Sequence, residues 1–321
     1  MNAVNTALET EDPVETRGPH WVSRAAFPIV FLVFVVNQLA LGFLVYKGWY
    51  WPAGLLLLTC SHLMHGLLIG FHEASHGLLR ESRRLNEIDG LLLGTFSLMS
   101  FSLYRAAHQS HHAHLASVRD EELWPFVFPS IPRWRRLLAA FTELNVGLLF
   151  TPFLFFRSFL RRDSPIRNQK LRRRIWIELA SIVLVWVLLL GLVHWLGLWK
   201  YFLWLYLAPA LIAGNLQSWR KYIEHVGMTG STVNSSTRSI VADGLVGRFI
   251  SFTLLHEPYH GVHHRYSGLP HADLPAHASE LQPRTPEENA PFPSYRHALV
   301  HLFRNLPDPR VGAQWRMPSS P

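Results

Sequence analysis

Three short clusters of histidine carry most of the chemistry available to this chain. His72-Glu73-Ala74-Ser75-His76 sets two imidazoles at i and i+4, which on a helix share one face about 6 Å apart and can turn toward a single metal ion. His108-Gln109-Ser110-His111-His112 places imidazoles at i, i+3 and i+4, and His260-Gly261-Val262-His263-His264 repeats that spacing. The one cysteine, Cys60, leaves no CxxC pair, so a metal would be held by nitrogen and oxygen alone. Taken by itself, the HExxH of the first box also fits a zinc site with Glu73 as general base. Eight histidines in three boxes exceed the three protein ligands a catalytic zinc takes, and imidazole-rich ligation of more than one metal suits iron and oxygen chemistry better.

Other histidines are graded by position. His225, in Tyr222-Ile223-Glu224-His225, directly follows an apolar stretch and is a ninth candidate ligand. His256, four residues before His260, and His114, at the end of the second box, are candidates for additional ligands. Glu73, Glu224 and Glu257 each adjoin a box histidine or His225, and are expected to accept the outer ring N–H and fix the tautomer. No catalytic residue separate from the metal centre is expected. His62 and His65 fall inside an apolar stretch, where helix-to-helix hydrogen bonds account for them. His20, His194, His271, His277, His297 and His301 read as surface or interfacial residues.

The elements that must position these boxes are membrane spans. Hydrophobic residues make up 49% of the 321, charged residues only 16%, and mean hydropathy is +0.12, unlike an ordinary soluble domain. Apolar stretches at residues 25–46 and 50–71 form one expected hairpin, and 175–199 and 201–219 a second; each is near the ~20 residues needed to cross a bilayer. Of the 30 lysines and arginines, only Lys47 and Lys200 fall in the two hairpin turns, which sets the boxes and both termini on the cytoplasmic side. Residues 88–104 and 137–160 are expected to be interfacial or re-entrant helices. Basic runs such as Arg172-Arg173-Arg174 adjoin a span and read as lipid anchors rather than a nucleic-acid surface. Residues 1–20 lack the basic start and apolar run of a secretory signal peptide. The expected fold is an all-α, multi-pass integral membrane protein of four transmembrane helices, with a cytoplasmic histidine-rich helical cap. Its segments are a polar tail at 1–24, a membrane domain at 25–275 and a Pro-rich, irregular cytosolic tail at 276–321.

The ordered boxes HxxxH, HxxHH and HxxHH, separated by two hairpins, resemble the membrane-bound fatty acid desaturase and hydroxylase superfamily. The stretch from Tyr259 to His264, followed by Leu269-Pro270, is similar to the family's third box, and His225 matches the isolated histidine many members supply. One departure is His256, where many relatives carry asparagine. The resemblance implies a pair of non-haem irons, dioxygen as co-substrate and oxidation of an unactivated C–H bond in a lipid, with acyl-chain desaturation first. Carotenoid or alkane hydroxylation or ketolation within the superfamily, and an intramembrane zinc protease built on the HExxH pentapeptide, are the alternatives. No haem-binding HPGG, CxxC or GxGxxG motif occurs, so electrons are expected from a separate ferredoxin or small haem protein. The Arg-rich face suits an acidic partner.

Overall fold

A computed structural model of the chain describes residues 21–316. The first twenty residues, with His20, lie outside the described part. Among the described residues the regular structure is helical, with one isolated parallel bridge between Ile240 and Phe292.

Among the described residues three helices are long and apolar enough to cross a membrane: α1 (Ala26–Lys47), α2 (Tyr50–His76) and α7 (Gln169–Trp195). α1 and α2 pack side by side, joined by a turn at Gly48, whose φ of +73° suits a residue without a Cβ. α2 runs past the apolar region to His76 and is closed by Gly77 at φ +77°, so the first box occupies the last turn of a membrane helix. The fourth apolar stretch begins at Trp199 as a helical turn, passes through a π-helical turn at Leu203–Leu207, and continues as α8 (Ala208–His225). The π turn frees backbone carbonyls. Gln38, a polar residue within α1, donates from Nε2 to one of them, Leu205 O, at 2.8 Å.

The two marginal apolar stretches each resolve into a pair of shorter helices. Residues 88–104 fall on α3 (Arg83–Phe96) and the start of α4 (Phe101–Ala113), parted by a turn in which Leu98 has φ +58°. Residues 137–160 divide between α5 (Arg133–Asn145) and α6 (Gly147–Leu160). Glu143, which interrupted the apolar run, is buried where it accepts from Tyr222 Oη at 3.0 Å and pairs with Lys221. Arg157 pairs with Glu121 at 3.1 Å. Leu85, Ile88, Leu92 and Phe96 of α3, and Trp134, Leu138 and Phe141 of α5, remain exposed. Such one-sided apolar exposure suits a helix lying in a lipid interface.

After α8 the chain continues through α9 (Leu245–Thr253), α10 (His260–Arg265) and α11 (Tyr295–Asn305). The tail at 276–321 is expected from sequence to be irregular, and here the structure differs. A 3-10 segment, His271–Leu281, packs on α10, and Ala298 and Leu302 of α11 are buried in the cluster that contains Tyr222 and Val226. Proline marks the turns of this region without preventing a spaced apolar face from finding the core.

Candidate metal centre

Each histidine box lies on a helix anchored elsewhere. α4, which carries the second box, begins at Ser100, and the Glu178 carboxylate of α7 accepts from Ser100 Oγ (2.7 Å), Ser102 N (2.9 Å) and Ser102 Oγ (2.6 Å). A carboxylate there satisfies orphan N–H groups and complements the positive end of the helix. The end of α8, which carries His225, is gripped by the buried guanidinium of Arg238, bonded to the carbonyls of Ile223 and, at 2.9 Å, Val226. The third box occupies α10, where Gly261 N donates to Ser239 Oγ at 2.8 Å.

These helix ends converge. His72, His76, His108, His112 and His263 each place a ring nitrogen within 4.8 Å of the others' nitrogens, and His111, His225 and His264 do the same in a second group. His260 joins that group through Nε2, which lies 2.9 Å from His225 Nε2 and 3.0 Å from His264 Nε2. All nine histidines singled out by spacing and position are therefore gathered in one buried place. Helical geometry explains the division. In the second box the i, i+4 pair His108 and His112 faces the first group and His111 the second; in the third box the pair His260 and His264 faces the second group and His263 the first. Adjacent box residues, about 100° apart around a helix, thus serve different groups.

The tautomers are set from outside. His108 Nδ1 meets Glu122 Oε2 at 2.9 Å, His111 Nδ1 meets Asp120 Oδ2 at 2.8 Å, and His260 Nδ1 meets Glu257 Oε1 at 3.0 Å. A ring that donates from Nδ1 to a carboxylate presents a bare lone pair at Nε2. His108 Nε2 nevertheless lies 3.1 Å from both His76 Nε2 and His112 Nε2, and His112 Nε2 lies 3.1 Å from His263 Nε2. Lone pairs crowded in this way repel one another unless a cation lies among them. For metal–nitrogen bonds of about 2.1 Å, donors at right angles stand about 3.0 Å apart and tetrahedral donors about 3.4 Å. The observed spacings match right-angled ligation, and the residues present fit a pair of metal ions.

Burial and mutual repulsion push the pKa of His108, His112 and His264 well below the ordinary range, and burial lowers His260 to about 4, so these imidazoles are neutral at neutral pH. His111 differs. Burial lowers it too, but the charges of Asp120 and Glu122 outweigh that and raise it to about 9.

Of the acids named from sequence, Glu257 bonds His260, and Glu73 lies 3.5 Å from His72 Nδ1. Glu224 departs from expectation: it approaches His260 at Nε2 (3.6 Å) rather than at an outer nitrogen, and is held by Arg220. Asp120 and Glu122 were not foreseen. Their signal was the acidic run Asp120-Glu121-Glu122 eight residues beyond the second box, in a turn that has no helical period to relate it to the histidines.

His256 and His114 are not brought into either group. His256 has φ +58° and bonds Ser251 Oγ at 3.1 Å through Nδ1, and His114 sits past the end of α4. His62 bonds Thr253 Oγ1 at 2.8 Å, as a helix-to-helix contact. His65 is buried outside both groups. One expectation is corrected: His271 is buried beside His256 because the tail folds back on the core, while half-buried His301 accepts from Arg238 at Nδ1 (2.6 Å). His297 is exposed, as expected.

An apolar cavity is separated from the first group by the ring of Tyr104. It is lined by Leu68, Phe71, Met99, Tyr104, Leu148 and Pro152, among others, and Tyr104 lies flat on His108 with ring centroids 5.3 Å apart. Met99 and Pro152 also border an open groove with Phe153, Phe156, Trp176 and Val183, on the face of α7 that the protein leaves uncovered. Between α6 and α8, a Cβ on Gly147 would stand 2.4 Å from Gly214 O, so glycine is what lets the cavity wall close.

Comparison with known proteins finds similarity along most of the chain. The family model described as fatty acid desaturase matches residues 47–296. The chain is 24% identical over 316 residues to a chloroplastic omega-3 fatty acid desaturase of Brassica napus, covering 89% of this chain and 76% of that protein. It is 23% identical over 253 residues to a Delta(12) fatty acid desaturase of Calendula officinalis, and 22% identical over 247 residues to an 11E,13E-forming Delta(12) acyl-lipid conjugase of Impatiens balsamina. Those alignments cover 71% and 69% of this chain and just under two thirds of each relative, 64% and 63%.

Proposed function

The chain belongs to the fatty acid desaturase family, and from that premise we propose that it desaturates the acyl chain of a membrane lipid at a pair of iron ions, with dioxygen as co-substrate. Membership and the three apolar helices make it a membrane-bound oxidoreductase of lipid metabolism. The observation that carries the finer proposal is the convergence of nine imidazoles in two groups at donor spacings of 2.9 to 3.1 Å. His72, His76, His108, His112 and His263 would hold one iron, and His111, His225, His260 and His264 the other.

When bound, the irons supply activation of dioxygen and the oxidant that removes hydrogen from a methylene group. The chain's own residues do the rest. Asp120, Glu122 and Glu257 keep the Nδ1–H of His111, His108 and His260 fixed, so the inner nitrogens stay bare. Leu68, Phe71 and Tyr104 exclude water from the approach, and the groove shared through Met99 and Pro152 admits an acyl chain from the lipid side of α7. The relatives' printed names, two desaturases and a conjugase, favour acyl dehydrogenation over carotenoid or alkane hydroxylation. A zinc protease built on the first box would leave the second and third boxes without a use, whereas their histidines meet the first box at one place.

The apolar stretch 201–219 is the fourth crossing, residues 25–275 are the membrane domain with its cytosolic extension at 276–321, and the boxes and termini face the cytoplasm. A separate ferredoxin or small haem protein delivers electrons to that face. The test is lipid analysis by mass spectrometry in an expression host of known acyl composition. New double bonds should appear only with oxygen present, and a product that carries a hydroxyl and no new double bond would overturn desaturation.

A further inference from the structure

The two groups of nitrogens are unequal: five imidazoles meet in one, and His111, His225, His260 and His264 make up the other. Beside the smaller group lies a carboxylate. Glu224 Oε2 is 3.6 Å from His260 Nε2, the same nitrogen that faces His225 and His264, and Glu224, His225 and His260 bring one donor atom each within 4.8 Å of one another. Glu73 and Glu257 also come within 4.8 Å of one another with His72, but they approach it at Nδ1, whereas Glu224 faces an Nε2 shared with two other imidazoles. Asp120, Glu122 and Glu257 bond Nδ1 atoms, and Glu73 lies beside Nδ1 of His72.

Placement of this carboxylate follows from the helix. Glu224 precedes His225 in the last turn of α8, and Arg220, one turn earlier, donates from Nη1 to both its oxygens at 2.8 and 2.7 Å. The same nitrogen donates to Glu257 Oε1 at 2.8 Å, tying Glu224 to the acid that orients His260. Glu224 is only 4% exposed, so its position is fixed. An ionised carboxylate has about four acceptor sites, and one guanidinium nitrogen leaves sites free toward the histidines.

We propose that Glu224 is an oxygen ligand to the metal of the four-histidine group. On the two-metal arrangement proposed above, the metals are then chemically distinct: one held by five neutral imidazoles, the other by four imidazoles and an anionic oxygen. A hard anionic donor favours the more oxidised state of its metal. Divided labour follows, with the metal held by His111, His225, His260 and His264 easier to oxidise than its neighbour.

The experiment uses the full chain in detergent or nanodiscs, loaded with isotopically enriched ferrous iron, read by elemental analysis and Mössbauer spectroscopy. Wild type should hold about two irons giving two distinct doublets. Glu224→Gln should leave one doublet in place, shift or delete the other, and under chelator challenge retain about one iron. Two irons with both doublets unchanged in Glu224→Gln would overturn the assignment. So would recovery of the wild-type doublets in Arg220→Gln/Glu224→Gln, since that would show Glu224 only neutralising Arg220. Should Glu224→Gln fail to fold, Glu224→Asp decides: a shift confined to one doublet supports ligation, and a wild-type spectrum contradicts it. A wild-type chain that holds no iron pair would overturn the two-metal proposal itself, a result distinct from any of these.

Discussion

His225 is the residue whose role most needs separate proof, because it belongs to no box. It is buried, its Nε2 stands 2.9 Å from His260 Nε2, and its Nδ1 lies 3.4 Å from the carbonyl of Ser236. His225→Ala and His225→Gln should both lose iron and product as fully as His264→Ala does; wild-type iron in both would remove it from the centre. His297→Ala, at an exposed position, should change stability by no more than about 0.5 kcal/mol and leave product yield intact. Asp120 offers a finer test, since it sets the tautomer of His111 without reaching a metal. Asp120→Asn keeps the shape of the turn but removes the charge, and should weaken iron binding roughly ten- to a hundredfold in a chelator titration. An unchanged affinity would make Asp120 merely a turn residue. At this scale the sequence was most readable where spacing was helical: i, i+3 and i+4 identify which imidazoles can share a face. It was silent on Asp120 and Glu122, whose turn has no period, and misleading for His271, which is buried where the tail folds back.

Helices position the donors, and their ends are where the structure invests its polar contacts. Glu178 on the lipid-facing α7 bonds three groups at the start of α4, so a membrane span steers the helix bearing the second box. Glu178→Ala should destabilise the protein by on the order of 1–3 kcal/mol, read as a lowered midpoint in thermal unfolding, by stranding buried donors. A midpoint equal to wild type would show that α4 needs no such tether. The long apolar helices α1, α2 and α7 were legible from hydropathy alone. Less so were residues 88–104 and 137–160, which read as marginal single stretches. Each is two helices, because Leu98 takes a left-handed turn and because Val146 parts α5 from α6. Hydrophobic content does not encode where a helix turns. Sequence likewise could not show the π turn at Leu203–Leu207, nor that Gln38 would answer the carbonyl of Leu205.

At the scale of the molecule, the proposal requires the chain to cross four times and so to return to its starting side twice. Lys47 and Lys200 are exposed in the hairpin turns, while Arg119, Arg167 and Arg284 are exposed in the segments that carry or flank the boxes. Single cysteines at these positions, in a Cys60→Ser background, should react with a membrane-impermeant thiol reagent in intact cells only at 47 and 200. Reaction at 119, 167 and 284 but not at 47 and 200 would invert the orientation, and reaction at both 47 and 167 would add a crossing between them.

The pairing of metals is what the whole arrangement serves, and it is also what a single measurement can test. Chain purified without strong chelators should contain about two irons and negligible zinc by elemental analysis, as nine imidazoles in two adjacent groups require. One zinc per chain and no iron would contradict the account at its centre.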